Sequence, residues 1–341
     1  MDPNHLPVDD STPYHEALEQ TFDRWDLVPE KTVLIRDGLN HVFGTESMDG
    51  EPVIVRIGDG ALRSHGEVAG ELLWLNHLNR KGCTVTTPIL SRLGELLETI
   101  ETNHRVMHVA CFERFAGETI YPLVDTRWND ELFEKLGREV GRIHRASDEL
   151  CLPPEQNRKH WYESKLTQFA APLPAAYNGE VVRAMTAFLD ELRKRPTVPR
   201  HYGLVHRDLH AGNFLVEAGQ IQVIDFDLGC YGWRTMDLGM ILFAHYLYPS
   251  SCVPNASPAL TSHVLGKLVS GYREEYQLDD AQLETLEDAI LVSTILNYQV
   301  MKPAVDHWQV ALGNPAVHVN ESIAWIEQLW IRGEKLEIIR P

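Results

Sequence analysis

Two short runs hold the residues best suited to chemistry. The first is His206-Arg207-Asp208-Leu209-His210-Ala211-Gly212-Asn213, and the second is Ile224-Asp225-Phe226-Asp227. Between them lie two apolar stretches, Phe214–Val216 and Ile221–Ile224, whose connection Glu217-Ala218-Gly219-Gln220 predicts a β-hairpin. A carboxylate, an amide oxygen and a second carboxylate folded around one point suit the transfer of a group that carries several negative charges, as a phosphoryl group does. In that arrangement Asp208 accepts the proton of an incoming hydroxyl, Asn213 offers its amide oxygen to a divalent cation, and Asp225 holds the cation against the phosphates. Asp227 is placed to reach a second metal ion or its water. Asp and Asn are common in turns, so either run alone says little. The internal spacing of the first, together with a strand pair before the second, carries the signal.

The first run has the pattern H-R-D-L-x-x-x-N of the kinase catalytic loop, and the second has D-F-D where kinases have D-F-G. On these motifs the chain resembles the aminoglycoside phosphotransferase and choline kinase superfamily, the small-molecule branch of the kinase fold, from Val33 to Leu247. The resemblance implies a phosphotransferase dependent on ATP and Mg²⁺, with catalytic Asp208, Asn213 and Asp225 and a metal held by Asn213, Asp225 and Asp227. It also implies that Asp237, in a segment similar to the family's G-x-x-x-x-D-L, braces the catalytic loop. His144 matches the family's helix that ends in an aliphatic residue and His, and reads as a core histidine rather than a metal ligand. His210 and Trp233 are candidates to line the acceptor site.

For the nucleotide, the strand Val53-Ile54-Val55-Arg56-Ile57 has Arg56 where protein kinases place a lysine that touches phosphate and pairs with a helix glutamate. The family pattern selects Glu71, ahead of Trp74-Leu75, as the partner, with Glu67 one turn earlier as the alternative. The segment Asp37–Gly44 departs from the glycine-rich loop of protein kinases. It is similar to the superfamily's looser turn, in which Gly38 bends the hairpin and Asn40 and backbone N–H groups face the phosphates. Phe112–Glu118 resembles the family's hinge, where Glu113 and Phe115 flank the adenine.

These residues need a frame. Thr12-Pro13 opens a helix over residues 12–27. Lys31–Arg36, His41–Glu46 and Val53–Ile57 read as an antiparallel meander, Glu67–Leu78 as a helix closed by Lys81-Gly82, and Leu96–Glu101 and Arg105–Phe112 as strands joined at Thr102-Asn103-His104. Beyond Gly117 the pattern turns helical, at Asn129–Leu150, Gly179–Lys194, Met236–Leu247, Ser257–Tyr276 and Val317–Gly333. The expected class is α+β, a two-lobed protein-kinase-like fold. Residues 1–115 form a nucleotide-binding lobe with a small antiparallel sheet and one main helix; residues 116–341 form a mainly α-helical lobe with the catalytic loop and acceptor site.

Composition narrows the partners. With 49 acidic against 31 basic residues and a net charge of −18, the balance speaks against a broad surface that tracks nucleic-acid phosphates, and an anionic ligand has to be met locally by placed cations, a metal ion or backbone N–H groups. Cys83, Cys111, Cys151, Cys230 and Cys252 are scattered without a CxxC pair, which speaks against a disulfide framework or zinc site and for a reducing cytoplasm. Neither a signal sequence nor a membrane span is expected. His104 with His108 and His206 with His210 have ligand-like spacing but fall in a strand and a loop, and Trp308, Trp325 and Trp330 read as helical core. Only residues 228–236 separate Asp227 from Asp237, without A-P-E, which disfavours a peptide platform. A small alcohol, amino alcohol, sugar or aminoglycoside-like acceptor is expected. A serine/threonine protein kinase of the bacterial stress-response type, a nucleotide-binding pseudokinase scaffold and a metal-dependent hydrolase are the competing readings.

Overall fold

The computed structural model describes residues 13–103, 105–120, 127–244, 258–306, 319–333 and 336. Thr12, His104 and Trp308, and parts of the expected helices at 245–247, 257 and 317–318, lie outside the described residues. The chain divides into two compact units. The first takes residues up to Gly117 together with Glu149–Arg158 and Gln222–Asp227; the second takes Glu118–Asp148, Lys159–Ile221 and the residues from Leu228 on.

In the first unit, β1 (Val33–Arg36), β2 (Asn40–Glu46), β3 (Pro52–Asp59), β4 (Pro88–Ile89), β5 (Glu98–Glu101) and β6 (Val106–Glu113) form an antiparallel sheet. Its order is β1-β2-β3-β6-β4, with β5 also paired to β6. The period of two along β3 decides what each face does. Val53, Val55 and Ile57 are buried in one core with Phe43, Val109 and the apolar face of α1 (Pro13–Trp25), each such burial contributing about 1.5–3 kcal/mol. Arg56 therefore emerges on the opposite face, against α2 (His65–Arg80).

Helix α2 starts earlier than its apolar pattern alone indicates, because Ser64 and Glu67 form a capping box: Glu67 N–H donates to Ser64 Oγ and Ser64 N–H donates to Glu67 Oε2. It ends as expected, with Gly82 in the left-handed region at φ +78°. Trp74 on α2 packs edge-on against Phe226, ring centroids 5.0 Å apart. The edge of Val223 is pinned by exchanges with Thr84 and Thr86, so the segment that follows it is anchored within this unit.

The second unit is mainly helical: α3 (Asp130–Ser147), α4 (Gly179–Arg193), α5 (Thr235–Leu242), α6 (Pro258–Glu275), α7 (Asp280–Leu283), α8 (Leu286–Met301) and α9 (Val319–Arg332). Short strands thread it. β7 (Glu118–Thr119) pairs with β9 (Phe214–Glu217), and β8 (Tyr202–Val205) pairs antiparallel with β11 (Cys230–Trp233); after β9 the chain turns into β10 (Gln220–Val223), whose residues from Gln222 on count with the first unit. The expected hairpin turn is real, with Ala218 at φ 47° and Gly219 at φ 79°, the twist-matched conformation of a two-residue turn. Trp330 donates to Thr294 Oγ1 at 2.9 Å and packs on Phe188, and both it and Trp325 are half-buried at the edge of the core rather than within it as expected. No helix among the described residues is long and apolar enough to cross a membrane.

Helices α3 and α6 meet at backbone contact. A Cβ at Gly137 would stand 2.0 Å from the carbonyl oxygen of Leu268, and one at Gly271 would stand 1.9 Å from that of Glu134. Neither obstacle is a flexible side chain, so the helices must part to admit a methyl group. Gly271→Ala is expected to lower stability by about 1–3 kcal/mol or more, read as a lower midpoint in chemical denaturation; an unchanged midpoint would show that the crossing yields freely.

Candidate active site

The close approach of α3 to α6 has a purpose at the next turn, where Tyr272 OH lies 2.7 Å from His144 Nδ1 and His144 Nε2 lies 2.9 Å from Asp237 Oδ2. His144 is fully buried, and burial pulls its pKa below the ordinary histidine value despite the pull of Asp237 the other way. The neutral ring therefore donates its Nε2–H to Asp237 and accepts from Tyr272. Asp237, at the first turn of α5, uses its remaining capacity on the loop that carries Asp208: His206 N–H donates to Oδ2 at 2.9 Å and Arg207 N–H to Oδ1 at 2.6 Å. Burial would raise the Asp237 carboxyl, but His144, His206 and the Arg207 N–H outweigh it and hold the pKa low. A bracing role for this aspartate follows directly from these bonds.

Arg207 sits at φ 72°, a conformation that costs a non-glycine residue roughly 1–2 kcal/mol, and its N–H bond to Asp237 holds it there. The turn brings Asp208 and Asn213 together. Asn213 Nδ2 donates to both the carbonyl oxygen (2.9 Å) and Oδ2 (3.0 Å) of Asp208, so its Oδ1 is the end directed elsewhere. His210 caps the following turn through Nδ1, which accepts from Gly212 N–H, and its Nε2 lies 3.6 Å from Asp208 Oδ2. Burial alone would push the Asp208 carboxyl up; His210, His206 and Asn213 more than offset it and keep the pKa below the usual carboxylate range. Asp208 is thus an ionised, accepting carboxylate. Trp233 is buried between Trp161 and Tyr202, part of the unit's own aromatic packing.

Residues without a motif support this loop. Arg234 runs beneath β8, donating Nη1 to the Leu204 carbonyl and pairing with Asp148. A Cβ at Gly203 would fall 2.1 Å from this guanidinium, so a side chain there would displace Arg234.

The first unit holds a second set. Arg56 Nη1 donates to Glu71 Oε1 at 2.7 Å, and Arg63 Nη2 to Glu71 Oε2 at 3.1 Å. Glu71 has no exposed surface; burial would raise its pKa, but Arg56, Arg63 and Arg158 bring it down to about 2. Glu67 is occupied by the capping box and does not meet Arg56. Asp227 shares Arg63 with Glu71, its Oδ2 lying 3.7 Å from Arg63 Nη1 and accepting from Asn40 Nδ2 at 3.1 Å, while Asp225 Oδ2 lies 3.4 Å from Arg36 Nη1. Burial, then repulsion from Asp225, raises the Asp227 pKa well above the ordinary aspartate value. Asp225 is at φ 65°, which aspartate tolerates better than most side chains. Gly38 lies in the exposed β1–β2 turn outside the left-handed region, so it does not use the freedom peculiar to glycine. Glu113 closes β6 opposite Val53 with its side chain exposed, and Phe115 is half-buried after it.

Arg63 and Arg158 are the members of this set that sequence reasoning did not single out. Arg63 directly precedes the Ser64–Glu67 capping box, a legible signal for the true start of α2, and hence for which side chains stand near Glu71.

The profile of the phosphotransferase enzyme family matches residues 33–261. The chain is 29% identical over 299 residues to amicoumacin kinase of Bacillus subtilis (strain 168), covering 86% of this chain and 87% of that one. A solved amicoumacin kinase in complex with AMP-PNP, Ca²⁺ and Ami superposes with a TM-score of 0.85 at 25% identity, covering 97% of this chain and 96% of that chain. A microcompartment-associated aminopropanol kinase shares the fold, with a TM-score of 0.69 at 22% identity over 93% of this chain and 94% of its own. The α+β, kinase-like fold expected from the motifs is therefore the fold of this protein, and the chain belongs to the phosphotransferase enzyme family, within the aminoglycoside phosphotransferase and choline kinase superfamily.

Proposed function

We propose that this phosphotransferase moves the γ-phosphoryl group of Mg-ATP to a hydroxyl of a small molecule, an amino alcohol, a sugar or an aminoglycoside-like compound. The observation that carries the proposal is the pairing of Asp208 with Asn213 on a loop suspended from Asp237, because it holds an ionised carboxylate ready to take a proton beside an amide oxygen directed away from it.

The residues present fit the nucleotide and its metal. Asn213, Asp225 and Asp227 offer only oxygen donors, the set a hard divalent cation prefers. Arg56 Nη2 is buried without a hydrogen-bond partner among the described residues, a donor left over for an anion. In this reading Asp208 removes the acceptor proton, Asn213 with Asp225 and Asp227 hold Mg²⁺, and Arg56, fixed by Glu71, donates to phosphate. The turn at Gly38 and Asn40 covers the phosphates, main-chain groups from Glu113 to Phe115 meet the adenine, and His210 contacts the acceptor. When bound, Mg²⁺ neutralises charge on the phosphate oxygens.

A small acceptor is favoured over a peptide because the residues between Asp227 and Asp237 are consumed by a 3₁₀ turn at Phe226–Leu228, by β11 and by the start of α5. No span remains there for a peptide platform. Mg-ATP is expected to raise the thermal midpoint of the wild type, and labelled γ-phosphate is expected to appear on a small molecule from a panel holding amicoumacin, amino alcohols, sugars, aminoglycosides and proteins. Asp225→Ala is expected to abolish most of the Mg-ATP shift. Absence of a shift in the wild type defeats the kinase reading, and label confined to a protein substrate defeats the small-molecule one.

A further inference from the structure

Residues Glu149–Arg158 follow α3 of the second unit yet belong to the first. They lie against α2 through a notch made by two glycines one helical turn apart. A Cβ at Gly66 would stand 2.1 Å from the carbonyl oxygen of Glu155, and one at Gly70 would stand 1.9 Å from that of Gln156. The backbone of this strap, which includes a 3₁₀ turn at Pro154–Gln156, is therefore seated directly on the helix that carries Glu71.

The strap ends in Arg158, which is 7% exposed. Its Nη1 donates to the carbonyl oxygen of Glu67 at 2.7 Å and its Nη2 to the carbonyl oxygen of Asp227 at 2.6 Å. One planar guanidinium thus ties the main chain of α2 to the main chain of the D-F-D segment. Its positive charge also contributes to the low pKa of Glu71. A charge kept this deep in the fold, with its fork spent on two backbone oxygens of different elements, does more than fill space.

We infer that Arg158 is a positioning residue for metal and nucleotide binding: it fixes Asp227 relative to α2, and so sets the spacing between the Arg56–Glu71 pair and the carboxylates of Asp225 and Asp227. The inference rests on the proposed function above, since it assigns those carboxylates to the metal. Arg158 itself touches neither phosphate nor acceptor in this role. A lysine keeps the charge and much of the stem but has no planar fork, so it holds one carbonyl or the other and lets the segment drift.

The test compares full-length wild type with Arg158→Lys and Arg158→Met. Binding of ADP in the presence of MgCl₂ is measured by calorimetry, amide hydrogen exchange over residues 224–229 is measured without nucleotide, and KM for Mg-ATP is separated from kcat. Arg158→Lys is expected to weaken Mg-ADP binding by roughly 10-fold to 100-fold, the range typical of residues that orient metal ligands. KM should rise by a comparable factor with kcat changed much less, and exchange should quicken over 224–229 but not through the core of α2. An affinity for Mg-ADP within about threefold of wild type in the lysine variant overturns the inference, whatever the methionine variant does, including failure to fold. If wild type binds no Mg-ADP while exchange still quickens in the variants, the functional reading fails and the positioning of Asp227 stands.

Discussion

Asp208→Asn is expected to lower turnover by a factor on the order of 10² or more while leaving the thermal shift produced by Mg-ATP largely intact. The substitution keeps the size of the side chain and an oxygen able to accept from Asn213 Nδ2. The loop should hold, because its main anchors are the His206 and Arg207 N–H bonds to Asp237 and the Asn213 bond to the Asp208 carbonyl. Only basicity is removed. The wild-type pH profile supplies a second reading of the same change. Because His210, His206 and Asn213 keep the Asp208 pKa below the usual carboxylate range, the acid limb that reports its protonation should lie lower than for an ordinary aspartate. That limb should be lost in the variant. Near-normal turnover in Asp208→Asn would remove Asp208 from the role of base.

Glu71→Gln is expected to cost about 3–5 kcal/mol of stability, the penalty for breaking a buried ion pair from one side. The amide fits the space but leaves Arg56 charged and enclosed, with Nη2 already lacking a partner among the described residues. The sign of the pH dependence follows from the depressed pKa. Glu71 is about 2 in the folded chain and near 4.5 when unfolded, so its stabilising contribution is complete above the unfolded value and fades as pH falls through the folded one. Urea midpoints of wild type and variant should therefore differ most at neutral pH and converge as pH falls towards 2. A loss under about 1 kcal/mol at pH 7 would mean that Arg63 and solvent compensate for the missing charge.

The candidate site was legible in the sequence to the extent that its residues sit in contiguous motifs. Asp208, Asn213, Asp225 and Asp227 were singled out because a loop and a turn fix their spacing locally, and Arg56 because it stands where protein kinases place a lysine; the alternation along β3 is the physical reason it emerges against α2. Other supports are long-range and carry no local signature. Arg158 reaches Asp227 and Glu67 only after the chain has returned from α3, and Arg234 reaches Leu204 and Asp148 from the start of α5. Helix α8 escaped periodicity analysis because it is buried on nearly every side, from Ala289 and Ile290 through Thr294 to Tyr298, and so lacks a polar face to mark the period. The strands β8 and β11 are four residues each, and their pairing is set by tertiary position rather than by alternation. Trp233 shows the converse: a residue singled out by its place shortly after the D-F-D segment proves to be enclosed by Trp161 and Tyr202.

The strap and the D-F-D segment also bear on how the polypeptide is made. Because Glu149–Arg158 and Gln222–Asp227 complete the first unit, a ribosome that has released everything up to Gly117 has not yet delivered the parts that finish it. The sheet and α2 must wait for Asp227 to emerge before Arg158 has its second carbonyl and Trp74 its neighbour Phe226. A gene cut after Gly117 would yield an amino-terminal fragment with the Arg56–Glu71 pair but no acidic motif to serve, and the missing pieces could be restored only by the rest of the chain.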